Sequence, residues 1–101
     1  MINTDMRDYD YYLYGDKDEY GQATLISDDS GTPIVQGQIR MAINVATQGI
    51  KDSVAYSGTN YTGLTHDLVS DKMVIQFGVE NLKVLYVNPM GRYKVVYLGV
   101  M

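Results

Sequence analysis

The chain has 101 residues, no cysteine and a formal net charge of −4. The lack of cysteine excludes disulfides and thiolate metal sites, and the acidic balance argues against a protein that grips nucleic-acid phosphates. The length fits one domain over residues 1–101. The N-terminus has no basic, apolar leader and no apolar run is long enough to span a bilayer, so we expect no signal peptide and no membrane contact.

The charge is unevenly distributed along the chain. Residues 1–29 contain eight acidic and two basic residues, whereas residues 30–101 contain four acidic and six basic ones. An acidic surface of one copy could therefore meet a basic surface of the next. A solvated acidic hairpin near the N-terminus is the simpler interpretation.

The N-terminal part predicts two strands separated by turns. Residues 7–14 mix aromatic and acidic side chains in rough alternation, which is typical of a strand. Residues 15–21 form a glycine-containing turn, and residues 22–27 predict a second, shorter strand. The cluster at residues 28–33, which ends in Pro33, breaks the pattern.

The clearest alternation follows this cluster. Ile39, Met41, Ile43 and Val45 fall on one face, and polar or small residues lie between them. A period of two predicts a half-buried strand, which begins as early as Ile34.

Residues 47–63 predict a long central loop. The segment has three glycines, many hydroxyl side chains and weak periodicity, and long loops in small domains are usually functional or disordered. Gly49, Gly58 and Gly63 would permit rearrangement. Residues 61–65 are expected to re-enter the sheet, and residues 66–72 to form a turn.

Three apolar runs end the sequence, at residues 73–78, 82–89 and 93–100. The connections between them, residues 78–81 and 89–92, are short enough for hairpins, which indicates an antiparallel meander. The sequence therefore predicts an all-β, mainly antiparallel fold: a small barrel or sandwich with a long central loop.

Few residues indicate catalysis or ligand chemistry. His66 is the single histidine, and its neighbour Asp67 points to the opposite face if both lie on a strand. The spacing of Asp16 and Asp18 resembles the start of a calcium loop, but Ser27 stands where that loop requires glutamate. The sequence also lacks a glycine-rich phosphate loop. We therefore expect no catalytic residue, no metal and no cofactor, and a protein that is not an enzyme.

The order of the elements is similar to that of a known family. An acidic turn, a long alternating strand, a long polar loop and a short turn at residues 66–72 precede the final apolar strands. This order resembles the head-closure, or stopper, proteins of the tailed-bacteriophage neck, which are also called head–tail joining or minor capsid proteins. The similarity rests on layout, chiefly of residues 61–67, 71–75 and 82–89, and covers most of the chain.

The resemblance implies a barrel-like subunit of a virion ring of roughly six or twelve copies. The ring would assemble in the host cytoplasm between a portal-side adaptor and a tail-terminator or tail-tube protein. Its central loop would project into the channel and help to hold and gate packaged DNA. The candidate channel-loop residues are Gln48, Gly49, Lys51, Asp52, Tyr56, Gly58, Asn60 and Tyr61. The candidate residues for contacts between copies are Tyr9, Tyr11, Tyr12, Tyr14 and Arg40.

Other functions remain open. Tyr9, Tyr11, Tyr12 and Tyr14 are also the ligand-binding candidates of a monomeric barrel module of the SH3 or OB type. A tail-terminator role in the same neck is a further alternative, and a small hydrolase centred on His66 is the least favoured one.

Overall fold

The computed structural model describes residues 6–17, 19–47, 49 and 58–101. Its strands are β1 (Arg7–Leu13), β2 (Gly37–Val45), β3 (Tyr61–Thr65), β4 (Met73–Phe77), β5 (Glu80–Met90) and β6 (Tyr93–Val100). Within these described residues, no helix is long and apolar enough to cross a membrane. The prediction of an all-β fold is confirmed.

The six strands close into a barrel in the order β1-β2-β3-β6-β5-β4. Each strand pairs with two neighbours, and every pairing is antiparallel. Of the two predicted architectures, the structure is therefore the barrel. Closure gives each strand a partner on both sides, which protects most of the backbone groups that an open sheet would expose at its edges. The pairing of β1 with β4 is the shortest and covers Tyr11 to Leu13.

An apolar core fills the barrel. Along β2, Ile39 and Met41 are buried and Arg40 is exposed, as the alternating sequence predicts. Val45 continues the alternation, but it lies at the end of β2 beyond the core and is 67% exposed. The buried core consists of Ile39, Met41, Met73, Ile75, Leu82, Val84, Val96 and Leu98.

Two-residue turns join the last three strands. Gly78 and Val79 connect β4 to β5, and Gly91 and Arg92 connect β5 to β6. The φ angles of the two glycines are +63° and +76°. A glycine with positive φ at the first turn position is typical of the type II′ turn, whose twist matches the twist of the strands. The predicted meander is confirmed, with shorter turns than expected because strand pairing continues up to each glycine.

The connection between β1 and β2 differs from the prediction. Residues 22–27 do not form a strand; isolated bridges join Tyr14 to Leu25 and Ser27 to Pro33. The reason is a tight turn at Asp28, whose Oδ1 accepts hydrogen bonds from the backbone N–H groups of Ser30 (2.9 Å) and Thr32 (3.0 Å). The chain reverses directly after Ser27, so too few residues remain for a longer ladder.

The hydrogen bonds at this turn also affect the acidity of Asp28. The Ser30 hydroxyl donates to Asp28 Oδ1 at 2.9 Å. This bond, followed by the backbone bond from Thr32, lowers the pKa of the Asp28 carboxyl from its ordinary value of 3.8. At least one of the N-terminal acidic residues is therefore part of the turn that it stabilises.

The barrel has two different ends. We call the end with the β4–β5 turn the Val79 end; it also holds the start of β1 and Met101, whose N–H bonds to the Asn81 carbonyl at 3.0 Å. We call the opposite end, which carries the β1–β2 connection, the Asp28 end. Because neighbouring strands are antiparallel, the β3–β4 connection and the β5–β6 turn also lie at the Asp28 end.

Candidate interaction surface

The predicted channel loop is described only in part. Gln48, Lys51, Asp52 and Tyr56 lie outside the described residues, whereas Gly49, Gly58, Asn60 and Tyr61 lie within them. Asn60 is tied to β6: its N–H donates to the Leu98 carbonyl (2.8 Å), and its Oδ1 accepts from the Val100 N–H (2.9 Å). Tyr61 begins β3. Both residues therefore belong to the barrel wall, and the loop is shorter than residues 47–63.

Two of the loop glycines have different roles. Gly58 has a φ of +86°, a conformation that favours glycine. Gly63 lies inside β3, where a Cβ atom would collide with the sulfur of Met41. The expectation that Gly63 permits loop rearrangement is therefore wrong, because this glycine makes room for a core side chain.

The four N-terminal tyrosines, three on β1 and Tyr14 just after it, do not share one face. Tyr9 and Tyr11 pack against the core. Tyr12 projects outwards and donates its hydroxyl to Gln76 Oε1 at 2.8 Å, and Tyr14 pairs with Leu25 in the connection. A single aromatic groove made of all four rings is therefore not formed. Their contact with a second copy stays a prediction.

Arg40 combines an exposed side chain with a fixed backbone. Its guanidinium lies 3.5 Å from Asp8 Oδ1, and the two side chains are 57% and 55% exposed. Its N–H donates to Asp67 Oδ2 at 2.9 Å, and its carbonyl accepts from the Thr65 hydroxyl at 2.6 Å. The backbone of Arg40 is therefore held by two hydrogen bonds, and its exposed guanidinium is paired with Asp8. Its contact with a second copy stays a prediction.

His66 and Asp67 make separate structural contacts. The Nδ1 atom of His66 lies 2.8 Å from the Arg92 carbonyl, and its ring meets Tyr93 edge to face. Asp67 instead bonds to Arg40, as described above. In the part of the chain that the structure describes, no group of three or more His, Cys, Asp or Glu side chains is placed to hold a metal ion.

Three aromatic rings cluster at the Val79 end. Phe77 lies with its ring centroid 5.8 Å from that of Tyr9 and 5.2 Å from that of Tyr61, which is the usual range for edge-to-face pairs. The Tyr61 hydroxyl donates to Glu80 Oε2 at 3.2 Å. Burial first, and then the negative charge of Glu80, raise the pKa of Tyr61 above 10.0.

A cleft opens beside this cluster. It encloses about 510 Å³ and is lined by Arg7, Tyr9, Ile43, Asn44, Phe77 and Gly78. A second cleft of about 310 Å³ is lined by Asp8, Tyr9, Asp10, Gln38, Gln76 and Gly78. The clefts share Tyr9 and Gly78, so they lie on either side of the same stretch of wall between β1 and β4. No local sequence pattern indicates either cleft, because the lining residues come from three distant segments.

Exposed large apolar side chains are concentrated at the two ends of the barrel. Among the described residues, those at the Val79 end are Val45, Val79, Val100 and Met101. Those at the Asp28 end are Tyr20, Ile26, Ile34, Val35, Leu68 and Met90. The remaining exposed large apolar side chain among the described residues is Tyr86, which lies on the barrel wall between the two ends. The surface therefore has an apolar region at each end.

No protein-family model, curated protein or solved structure matches this chain.

Proposed function

We propose that this chain is a head-closure, or stopper, subunit in the neck of a tailed phage. Copies of it form a homo-oligomeric ring in the virion, assembled in the host cytoplasm. A portal-side adaptor contacts one end of the barrel, and a tail-terminator or tail-tube protein contacts the other. The role is structural, and the chain works by contact rather than by catalysis.

The exposure of apolar side chains at both ends of the barrel carries this proposal. Removing apolar surface from water contributes about 25 cal/mol per Å², and exposed apolar patches commonly mark contact sites. A subunit that lies between two other proteins along one axis needs a contact surface at each end. Val79 and Leu68, which are exposed at opposite ends, match this requirement.

The barrel wall supports contacts between copies. On the outer side, Leu64 pairs with Val95 and Tyr97 pairs with Tyr86, so β3, β6 and β5 present a mainly uncharged, partly aromatic wall, with the exposed Lys83 near its Val79 end. In the strand order, β1 lies opposite β6. A ring with head-to-tail contacts needs two different surfaces on opposite sides of the subunit. The wall with Tyr12 and Arg40 and the wall with Tyr97 are such a pair.

The acidic residues suit a channel through which DNA moves. Asp16, Glu19, Asp28 and Asp29 lie in the β1–β2 connection, at the Asp28 end. Their negative charge repels phosphate and limits adhesion of DNA to the ring. In this proposal the passing contact with packaged DNA comes from the central loop. DNA affinity of the purified chain should be weak, and tight binding that falls steeply with added salt would argue against this part of the proposal.

The proposal is tested by placing a charge at each end of the barrel. In the phage that encodes this chain, Val79→Asp and Leu68→Asp should each lower the yield of infectious particles by about tenfold or more, because a charge in an apolar contact is costly. Unjoined heads and tails should accumulate. Both side chains are exposed, so thermal unfolding of the purified variants should not change.

The matched controls are Val79→Thr and Leu68→Met, which keep the size of each side chain without adding charge. Both should give near-normal yields. Normal yields from both aspartate variants would contradict the proposed end contacts.

The aromatic cleft favours a second candidate function, a monomeric barrel module of the SH3 or OB type. Tyr9 and Phe77 provide an apolar floor, and Arg7 and Asn44 provide polar groups at its edge, which is the usual composition of a binding site.

Sedimentation of the chain mixed with an extract of phage heads separates the two candidate functions. A stopper co-sediments with the heads, and an independent module stays monomeric. A tail terminator would instead co-sediment with tails.

A further inference from the structure

The ladder between β1 and β4 stops before either strand ends. Paired residues run from Tyr11 opposite Ile75 to Leu13 opposite Met73. β1 extends back to Arg7, and β4 extends on to Phe77. The first part of β1 and the last part of β4 are therefore not paired with each other, and the two clefts lie there.

The backbone of β1 points hydrogen-bonding groups into this gap. Tyr14 donates its N–H to the Lys72 carbonyl, on the β4 side. Backbone groups of alternate residues point the same way along a strand, so the N–H and C=O groups of Asp10 and Asp8 also face β4. Among the described residues, neither has a partner in the β1–β4 ladder. These groups form a template to which an extended chain can add.

The two sides of the gap have different chemistry. On the inner side lie Tyr9, Phe77 and Ile43, which form an apolar floor. On the outer side lie the carboxylates of Asp8 and Asp10. Asp8 lies 3.5 Å from the exposed Arg40 guanidinium, and Asp10 accepts a hydrogen bond from Gln38 at 3.1 Å. Two carboxylates and one guanidinium leave this side with a net negative charge. Side chains of a strand alternate between faces, so an added strand would place apolar groups inwards and cationic groups outwards.

The same acidic residues disfavour a second copy as the occupant. Antiparallel pairing of two β1 edges around Tyr9 would set Asp8 of each copy opposite Asp10 of the other. Like charges directly opposite each other destabilise a strand pair, and charged residues at an open edge are a common barrier to self-association.

We propose that the gap between β1 and β4 binds an extended segment of another protein, in which apolar and basic side chains alternate. The segment adds as a strand to the β1 edge, with its apolar side chains on Tyr9 and Phe77 and its basic side chains at Asp8 and Asp10. This site is the cleft that also favours the second candidate function, a binding module, and the inference rests on that cleft. It does not involve the contacts at the two ends of the barrel, so the end contacts and the strand addition can fail separately.

The test uses synthetic peptides and amide NMR signals of the full chain. A peptide of alternating valine and lysine should shift the signals of Asp8, Tyr9, Asp10, Gln76 and Gly78, and bind with a dissociation constant below about 1 mM. A peptide of the same composition with valines and lysines in separate blocks, and one N-methylated at alternate residues, should each bind at least about tenfold more weakly, because strand addition needs alternation and free N–H groups.

Charge reversal checks the outer side of the site. The double variant Asp8→Lys, Asp10→Lys should lose affinity for the lysine peptide by about tenfold at low salt and gain affinity for a valine–glutamate peptide. Asp29→Lys, at the far end of the barrel, should bind like the wild type. Three results would each overturn the proposal: equal binding of alternating and block peptides, signal changes confined to the Asp28 end, or edge-to-edge pairing of two β1 strands.

Discussion

Gly63 shows how one residue supports the packing of the barrel. The space that a side chain would occupy there is filled by Met41, a core residue that is fully buried. Because Met41 is surrounded by other core side chains, it has little room to move away from a Cβ atom at position 63. Glycine is thus required at this position for packing rather than for flexibility.

We predict that Gly63→Ala destabilises the fold by about 1–3 kcal/mol, the usual cost of overpacking a core. Urea unfolding monitored by circular dichroism measures this difference. Gly15→Ala is the matched control, because a Cβ atom at that position would lie at an ordinary 3.6 Å from its nearest neighbours. If the two variants unfold at the same urea concentration, the packing argument is wrong.

Tyr61 gives a prediction for alkaline pH. Its pKa is raised above the ordinary 10.0 by burial and by Glu80, so the folded state holds the phenol proton more tightly than the unfolded state does. The hydroxyl therefore contributes stability below pH 10, and this contribution is lost as the pH rises through the folded-state pKa. The stability advantage of the wild type over Tyr61→Phe should shrink above about pH 10.

Thermal unfolding of both proteins across this pH range provides the measurement. The two proteins differ only in the Tyr61 hydroxyl, so the comparison isolates its contribution. An advantage of the wild type that grows above pH 10 would contradict the assigned direction.

At the scale of the elements, Asp67 extends the β2–β3 ladder past the end of β3. β3 ends at Thr65, and the Asp67 carboxylate accepts the Arg40 N–H in place of a further strand residue. Asp67→Ala should therefore cost about 1 kcal/mol, the typical net value of one hydrogen bond. Asp67→Asn should cost less, since its amide oxygen can still accept.

Hydrogen exchange of the Arg40 amide is the direct measurement for this contact. Exchange should be faster in Asp67→Ala and close to that of the wild type in Asp67→Asn. Unchanged exchange in Asp67→Ala would show that the carboxylate does not protect this amide.

Five of the six strands could be predicted from local sequence pattern with small errors at their ends. Alternation identified β1 and β2, apolar runs bounded by glycine identified β4, β5 and β6, and β3 was anticipated as the return from the loop. The pattern failed at residues 22–27. There, the hydrogen bonds of the Asp28 carboxylate favour a tight turn over strand pairing, and a strand propensity scale does not include that contact.

For the whole molecule, strand order and the clefts could not be predicted. Tyr12 bonds to Gln76 across a separation of 64 residues, and no local pattern indicates that β1 closes the barrel against β4. The candidate surface depends on this closure, because Tyr9 and Phe77 meet only when the two strands are neighbours. Position in the sequence predicts Tyr11 to contact a second copy and Gly63 to lie in the loop. In the structure, Tyr11 packs against the core and Gly63 lies against the core residue Met41.

The distribution of apolar and charged groups makes the two ends of the barrel chemically different. The Val79 end combines exposed aliphatic side chains with an aromatic cleft, whereas the Asp28 end combines exposed aliphatic side chains with most of the described acidic residues of the N-terminal part. The two ends therefore suit different partners. This asymmetry matches a subunit with one protein above it and another below.

Cryo-microscopy of assembled phage necks tests this account most directly. We predict a ring of several copies, with the Val79 end of each barrel against one protein and the Asp28 end against a different one, and with neighbouring copies in contact through their walls. A neck that lacks this chain, or one in which the apolar side chains at both ends face solvent, would contradict the proposed position of the subunit.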